Sequence, residues 1–188
     1  MSSAAPRGRV LAQGRYLTLV DDDGWEFITR RGITGVVVLV AITSERELVL
    51  VEQHRRAVGK RVVELPAGLV GDVAGHEAES LATAAHRELL EETGFEAREL
   101  VDLGAGPIAV GVSDEEVTFF EARGLARVGP GGGDDSEDIT VHVVPLARLR
   151  AFLAEKRSAG LAVDPKIYAG LFLAGETDGR GERRETAS

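Results

Sequence analysis

The chain has 188 residues, 44% of them hydrophobic and 28% charged, with a formal net charge of −9 and no cysteine. That length suits one domain with a real core, and the missing cysteines exclude a disulfide framework and a thiolate zinc site. So acidic a chain lacks the basic footprint of non-specific nucleic-acid binding. No run of about 18 apolar residues predicts a membrane span, and the first nine residues lack the apolar stretch of a secretory signal, so a cytoplasmic location is expected. A polyanionic substrate would need divalent cations and a few arginines to offset the repulsion.

Residues 1–8 are small and polar and are expected to form a flexible tail. Residues 15–20 and 25–30 flank Asp21-Asp22-Asp23-Gly24, a turn signal that predicts a hairpin. Residues 35–41 (GVVVLVA) form a continuous β-branched run, the mark of a strand buried on both faces. Two more strands are expected over 47–52 and 61–65, after which Pro66-Ala67-Gly68 breaks the pattern and a Gly/Asp-rich loop runs to about His76. A helix rich in Ala, Leu and Glu follows over 78–92, with Gly94 at the terminating position. Short strands are predicted near 99–103, 117–121 and 139–144. Gly129-Pro130-Gly131-Gly132-Gly133 reads as a mobile loop. Helices are expected over 146–156 and after Asp164-Pro165, and residues 175–188 read as a second flexible tail, leaving a domain over 9–174. The order of elements predicts an α/β sandwich with mixed sheets and not a doubly wound parallel sheet.

The helix carries the chemistry. At roughly 100° per residue, Leu81, Ala85, Glu88 and Glu92 fall within a narrow stripe, with Glu91 beside it and Arg87 within i+4 reach of Glu91. Charge on a helix usually means a solvated face laced with ion pairs. Here Glu88 and Glu92 instead continue the stripe expected to face the sheet. Inward carboxylates repel one another and cost desolvation unless a cation joins them, and a hard divalent metal with oxygen ligands is the natural partner. A purely structural ion-pair network is the alternative.

From Glu79 onward the spacing Glu79, seven residues, Arg87-Glu88-Leu89-Leu90-Glu91-Glu92-Thr93-Gly94-Phe95 resembles the Nudix signature. Ten residues, where that signature has five, separate Gly68 from Glu79, which places a five-residue insertion within 69–78. Trp25-Glu26-Phe27, Glu52-Gln53-His54-Arg55, Glu64-Leu65-Pro66-Ala67-Gly68 and Val163-Asp164-Pro165-Lys166-Ile167-Tyr168 are similar to the ADP-ribose and nucleoside diphosphate sugar pyrophosphatase branch. The resemblance implies a Nudix α/β/α sandwich with mixed β-sheets and an N-terminal β-hairpin subdomain. It also implies a homodimer in which strands within 9–32 contribute to the neighbouring site.

By position, the resemblance makes Glu88 and Glu92 principal ligands of Mg²⁺ (or Mn²⁺), assisted by Glu91 and by the carbonyl of Ala67. Arg87 would orient the carboxylates, and Glu79 would tie loop to helix. In the acidic segment Asp134-Asp135-Ser136-Glu137-Asp138, Glu137 takes the place of the glutamate that binds metal or activates water, with Asp135 as the competing base. Gly131, Gly132 and Gly133 would let that loop close over substrate. Arg55 is the candidate phosphate clamp, with Arg56 in reserve. Trp25 would stack on the nucleobase or fill the hairpin core, and Glu64 would bind a substrate hydroxyl or anchor its strand. The four histidines (His54, His76, His86 and His142) lack metal-site spacing.

The implied reaction is Mg²⁺-dependent hydrolysis of the diphosphate bond of ADP-ribose or a related nucleoside diphosphate sugar. Val110 stands where ADP-ribose pyrophosphatases carry a proline, which keeps other nucleotide sugars close behind. A dinucleoside polyphosphate, an oxidised nucleotide and a non-catalytic nucleotide sensor are the alternatives. Retention of Glu88, Glu91 and Glu92 speaks against the sensor.

Overall fold

The computed structural model describes residues 8–72, 75, 77–133 and 138–176. Strands β1 (Arg9–Gln13), β2 (Leu17–Asp22) and β3 (Trp25–Arg30) form a three-stranded antiparallel sheet. Asp22 pairs with Trp25, so Asp23-Gly24 is a two-residue hairpin loop. Both loop residues have positive φ, 52° and 85°, and the Gly24 N–H donates to Asp21 Oδ1 at 2.8 Å. Asp and Gly suit this turn because they tolerate the left-handed region that matches strand twist. β1 was not foreseen.

The body is built on β4 (Gly35–Ala41), whose bounds coincide with the expected strand. Its alternate side chains enter two cores. Val38 and Val40 join Leu48, Leu50, Val63, Leu65 and Phe119 on one face, while Val37, Leu39 and Ala41 join Val49, Ala84, Ala85 and Leu89 on the other. A strand with helices over both faces has no wet side to cover with polar residues, which is why its sequence shows no alternation. Around it lie β5 (Glu47–Arg55), β6 (Lys60–Glu64), β7 (Ala67–Val70), α1 (Leu81–Thr93), β8 (Phe95–Glu96), β9 (Glu99–Pro107), β10 (Glu116–Arg123), β11 (Ala126–Arg127) and β12 (Thr140–Pro145). A short 3-10 turn over Leu146–Arg148 leads into α2 (Leu149–Ser158), β13 (Ala162–Val163) and α3 (Lys166–Leu173).

One mixed sheet runs β7-β4-β10-β9, with β10 parallel to β4, and a second runs β12-β5-β6-β13. Helix α1 covers one side, while α2 and α3 pack into the core on the other. This is the expected α/β/α sandwich with mixed sheets. One expectation fails locally: the chain after Pro66 does not become loop, because Ala67–Val70 pairs antiparallel with β4. Of the stretch expected to be loose from residue 175, Gly175 and Glu176 are described and held. The Arg46 guanidinium grips Glu176 through two bonds of 2.6 Å, and the Glu176 N–H donates to the Leu171 carbonyl. No helix among the described residues is long and apolar enough to cross a membrane.

On the α2 side, Glu52 is buried and accepts hydrogen bonds from Arg61 and Lys156, with His142 at 3.0 Å. Burial pushes this carboxyl up, but the bonds from Lys156, Arg61 and His142 outweigh it and hold the pKa at about 2, below the ordinary 4.5. A depressed folded pKa stabilises the native state above the unfolded value, and the contribution is lost as pH falls through the folded one. Glu52→Gln is therefore expected to lower stability at neutral pH and to flatten the loss between pH 4.5 and about 2. Urea midpoints measured across that range test this, and parallel curves for the two proteins would refute it.

Candidate active site

Helix α1 starts at Ser80, whose hydroxyl accepts from the Thr83 N–H at 3.1 Å, and ends at Gly94 with φ 72° and its N–H on the Leu90 carbonyl. The side-chain caps its first turn and the left-handed glycine its last. Between the caps the expected stripe is present. Ala84, Ala85, Leu89 and Glu92 are buried, Glu88 is half-buried, and Glu91 faces solvent.

Arg87 organises this face. Its guanidinium donates to Glu88 at 2.8 Å, Glu79 at 3.0 Å, Glu91 at 3.2 Å and the Leu69 carbonyl at 3.1 Å, with Asp72 at 3.7 Å. Burial would lower the Arg87 pKa, but the bond to Glu79 and the charge of Glu88 outweigh it and raise it. Glu79 also accepts from the Gly71 N–H at 3.2 Å, so the base of the inserted loop is closed onto the helix. The stretch that carries the insertion is thus anchored at Gly71 and at Glu79, and Arg87 ties Glu79 to the helix face.

Glu88 lies against Gly68, where an added Cβ would stand 1.9 Å from the Glu88 carboxyl carbon. Burial pushes the Glu88 pKa up to about 7; Arg87 opposes the rise, and Glu91 and Asp72 add to it. Glu92 is 3% exposed, accepts from the Ala67 N–H at 3.0 Å, and has the Gln53 amide at 3.5 Å. Among the described residues no three acidic or histidine side chains converge as a metal cage. The carboxylates are instead engaged by Arg87, Ala67 and Gln53. The donor chemistry nevertheless fits a hard divalent cation: oxygen-only groups, crowded, one of them raised toward neutrality by burial and like charge.

The two substrate candidates on the neighbouring strands meet each other. Arg55 of β5 grips Glu64 of β6 bidentately at 2.7 and 2.8 Å. The bond to Glu64 raises the Arg55 pKa, and the charges of Glu64, Glu92 and Asp164 add to the rise. Arg56 lies exposed in the β5–β6 turn. Trp25 is 63% exposed at the start of β3, which removes the hairpin-core reading. Val110 is 78% exposed in the β9–β10 connection. That connection leans on β3, the Ile28 N–H donating to the Val112 carbonyl at 2.9 Å and Arg30 to Glu115 at 2.6 Å. Glu137 and Asp135 lie outside the described residues. Gln53 was missed, although the two-residue period of β5 places it on the same face as Arg55.

The glycine run overturns the expectation of a mobile loop. The N–H groups of Val128 and Gly129 donate to the Gly94 carbonyl, and those of Gly132 and Gly133 to the carbonyls of Glu92 and Glu91, at 2.9 to 3.1 Å. The segment is stitched to the end of α1.

The family of the chain follows from the fold and this helix. A model of the NUDIX domain matches residues 33–163, and the chain belongs to that family. It is 39% identical over 130 residues to an ADP-ribose pyrophosphatase of Mycobacterium tuberculosis, the match covering 66% of this chain and 59% of that one. It is 33% identical over 124 residues to a methanol dehydrogenase activator of Bacillus methanolicus, covering 65% and 64%. The chain thus spans less than two thirds of the length of these curated relatives. An ADP-sugar pyrophosphatase of Mus musculus is 31% identical over 191 residues, covering 87% of this chain and 84% of that one. The crystal structure of an ADP compounds hydrolase shares the fold, with a TM-score of 0.64 at 22% identity, covering 93% of this chain and 96% of that one.

Proposed function

We propose that the protein is a Nudix pyrophosphatase that hydrolyses the diphosphate bond of ADP-ribose or a related nucleoside diphosphate sugar, releasing a nucleoside monophosphate and a sugar phosphate. The observation that carries the reading is the inward pair Glu88 and Glu92 at the end of α1, held against Gly68 and Ala67 and flanked by Arg87. The names of the M. tuberculosis and mouse relatives support the substrate class.

Glu88 and Glu92, with Glu91 and the Ala67 carbonyl, would hold Mg²⁺ or Mn²⁺. Such a cation offsets the charge of the diphosphate and makes water a competent nucleophile. Arg87 keeps the carboxylates apart and aimed by sharing its donors among Glu79, Glu88 and Glu91. Arg55, preset by Glu64, presents its remaining donors to phosphate oxygens. Glu137, or Asp135 in its stead, takes the proton of the attacking water. The exposed apolar residues of the N-terminal sheet (Val10, Leu11, Leu17) support a homodimer built through strands 9–32, and the reading takes residues 9–174 as the catalytic domain of a cytoplasmic protein.

The test is incubation with Mg²⁺ and ADP-ribose, ADP-glucose, GDP-mannose, a dinucleoside polyphosphate or a nucleoside triphosphate, with products read by chromatography. Monophosphate from a diphosphate sugar, abolished by EDTA, is expected. Ligand binding without turnover under Mg²⁺ and Mn²⁺ would replace the enzyme with a sensor. Because Trp25 is exposed, Trp25→Ala is expected to leave the thermal midpoint unchanged. It should raise KM for the preferred nucleotide roughly tenfold with kcat little altered, as loss of base stacking predicts. An unchanged KM would remove Trp25 from the site.

A further inference from the structure

We propose that the segment 128–133 is a positioning clamp that fixes the last turn of α1, and with it the carboxylates of Glu91 and Glu92. The inference rests on the pyrophosphatase reading and adds residues that the Nudix helix itself does not contain.

The final turn of a helix has carbonyls without partners inside the helix and is the part most prone to fray. Glu91 and Glu92 stand in that turn, three and two residues before the capping Gly94. The Gly94 N–H satisfies only the Leu90 carbonyl. The Glu91 and Glu92 carbonyls are taken by the N–H groups of Gly133 and Gly132, at 3.0 and 2.9 Å, and the Gly94 carbonyl by Val128 and Gly129. One segment thus takes the carbonyls of both metal-site glutamates and of the capping glycine.

Only glycine allows so close an approach. A Cβ on Gly94 would stand 2.2 Å from the Gly129 carbonyl oxygen, and one on Gly131 would stand 2.3 Å from the Thr93 carbonyl carbon. Both obstacles are backbone, which cannot turn aside. Gly131, Gly132 and Gly133 have φ of 70°, 114° and 78°, a run that other residues resist. Arg127 braces the turn from outside: its guanidinium donates to the carbonyls of Gly129 and Pro130 and lies 5.6 Å over the Phe95 ring. The glycines are therefore positioning residues, acting through the backbone of Glu91 and Glu92.

The experiment compares wild type with Gly131→Ala, Gly160→Ala and Arg127→Ala. Gly160 has φ 87° with nothing near its Cβ, so it reports the conformational strain of alanine alone. Arg127→Ala loosens the turn without a clash and serves if Gly131→Ala does not fold. Folded fraction is read by circular dichroism, Mn²⁺ binding to the substrate-free protein by electron paramagnetic resonance, and kcat and KM with ADP-ribose under Mg²⁺. Gly131→Ala is expected to weaken Mn²⁺ binding and lower kcat by roughly 10- to 100-fold, the range seen when groups orienting metal ligands are lost. Its KM should stay within about twofold of wild type. Arg127→Ala should follow in the same direction with a smaller loss, and Gly160→Ala should lower only the thermal midpoint. If folded Gly131→Ala matches Gly160→Ala in Mn²⁺ affinity and kcat, or if Arg127→Ala standing in for it does, the clamp has no positioning role. A wild type that neither binds Mn²⁺ nor turns over any substrate fails differently, because it removes the pyrophosphatase reading itself.

Discussion

Glu92→Gln is expected to fold as the parent does and to lose on the order of 10³-fold in kcat. The carboxylate is 3% exposed, and the Ala67 N–H donates to it at 3.0 Å. Glutamine keeps the shape and offers the same N–H an acceptor, while it removes a charge whose burial is costly. Stability should therefore hold or rise. Activity should not, because a neutral amide cannot supply the anionic oxygen that a hard divalent ion requires. Losing several kcal/mol of metal-assisted stabilisation corresponds to a rate change of that order. Turnover at saturating Mg²⁺ and a thermal midpoint on the same preparation decide the matter. Turnover equal to wild type would remove Glu92 from the metal site, and a collapsed midpoint would mean the charge is structural.

The parts of this molecule that were legible in its sequence are those where local pattern and tertiary setting agree. Gly35–Ala41 is apolar without alternation and lies between two cores; Asp23-Gly24 needs positive φ and has it; Gly94 ends α1 in the left-handed conformation its position suggested. The stripe of Glu88 and Glu92 was readable from helical period alone. What escaped was determined by contacts distant in sequence. β7 is four residues long, follows a proline and contains Gly68, so nothing local marks it; its pairing with β4 does. β1 is exposed throughout and has no burial pattern to show. The glycine run looked mobile because composition reports only the freedom of glycine, whereas the backbone of α1 takes that freedom away. Trp25 shows the reverse: a lone tryptophan in a hairpin suggests a core residue, and the thin three-stranded sheet leaves it in solvent.

Gly68→Ala separates function from stability more sharply than any change to a charged residue. Gly68 is not among the glycines with positive φ, so alanine meets no backbone strain there and even restricts the unfolded chain slightly. Its methyl would nevertheless fall 1.9 Å from Glu88 Cδ and 2.0 Å from Oε1. Cγ stands in the way as well, at 2.2 Å, so the Glu88 side chain must turn about its first torsion, which it can do while the helix stays. Glu88 would then leave the floor between Arg87 and β7, where burial and the nearby Glu91 and Asp72 make it receptive to a cation. The expected result is a thermal midpoint close to wild type, a kcat lowered on the order of 100-fold, and a higher Mg²⁺ concentration for half activation. Full activity at ordinary Mg²⁺ would show that Glu88 need not occupy its place against Gly68. An equal fall in activity and folded fraction would show that the glycine serves packing instead.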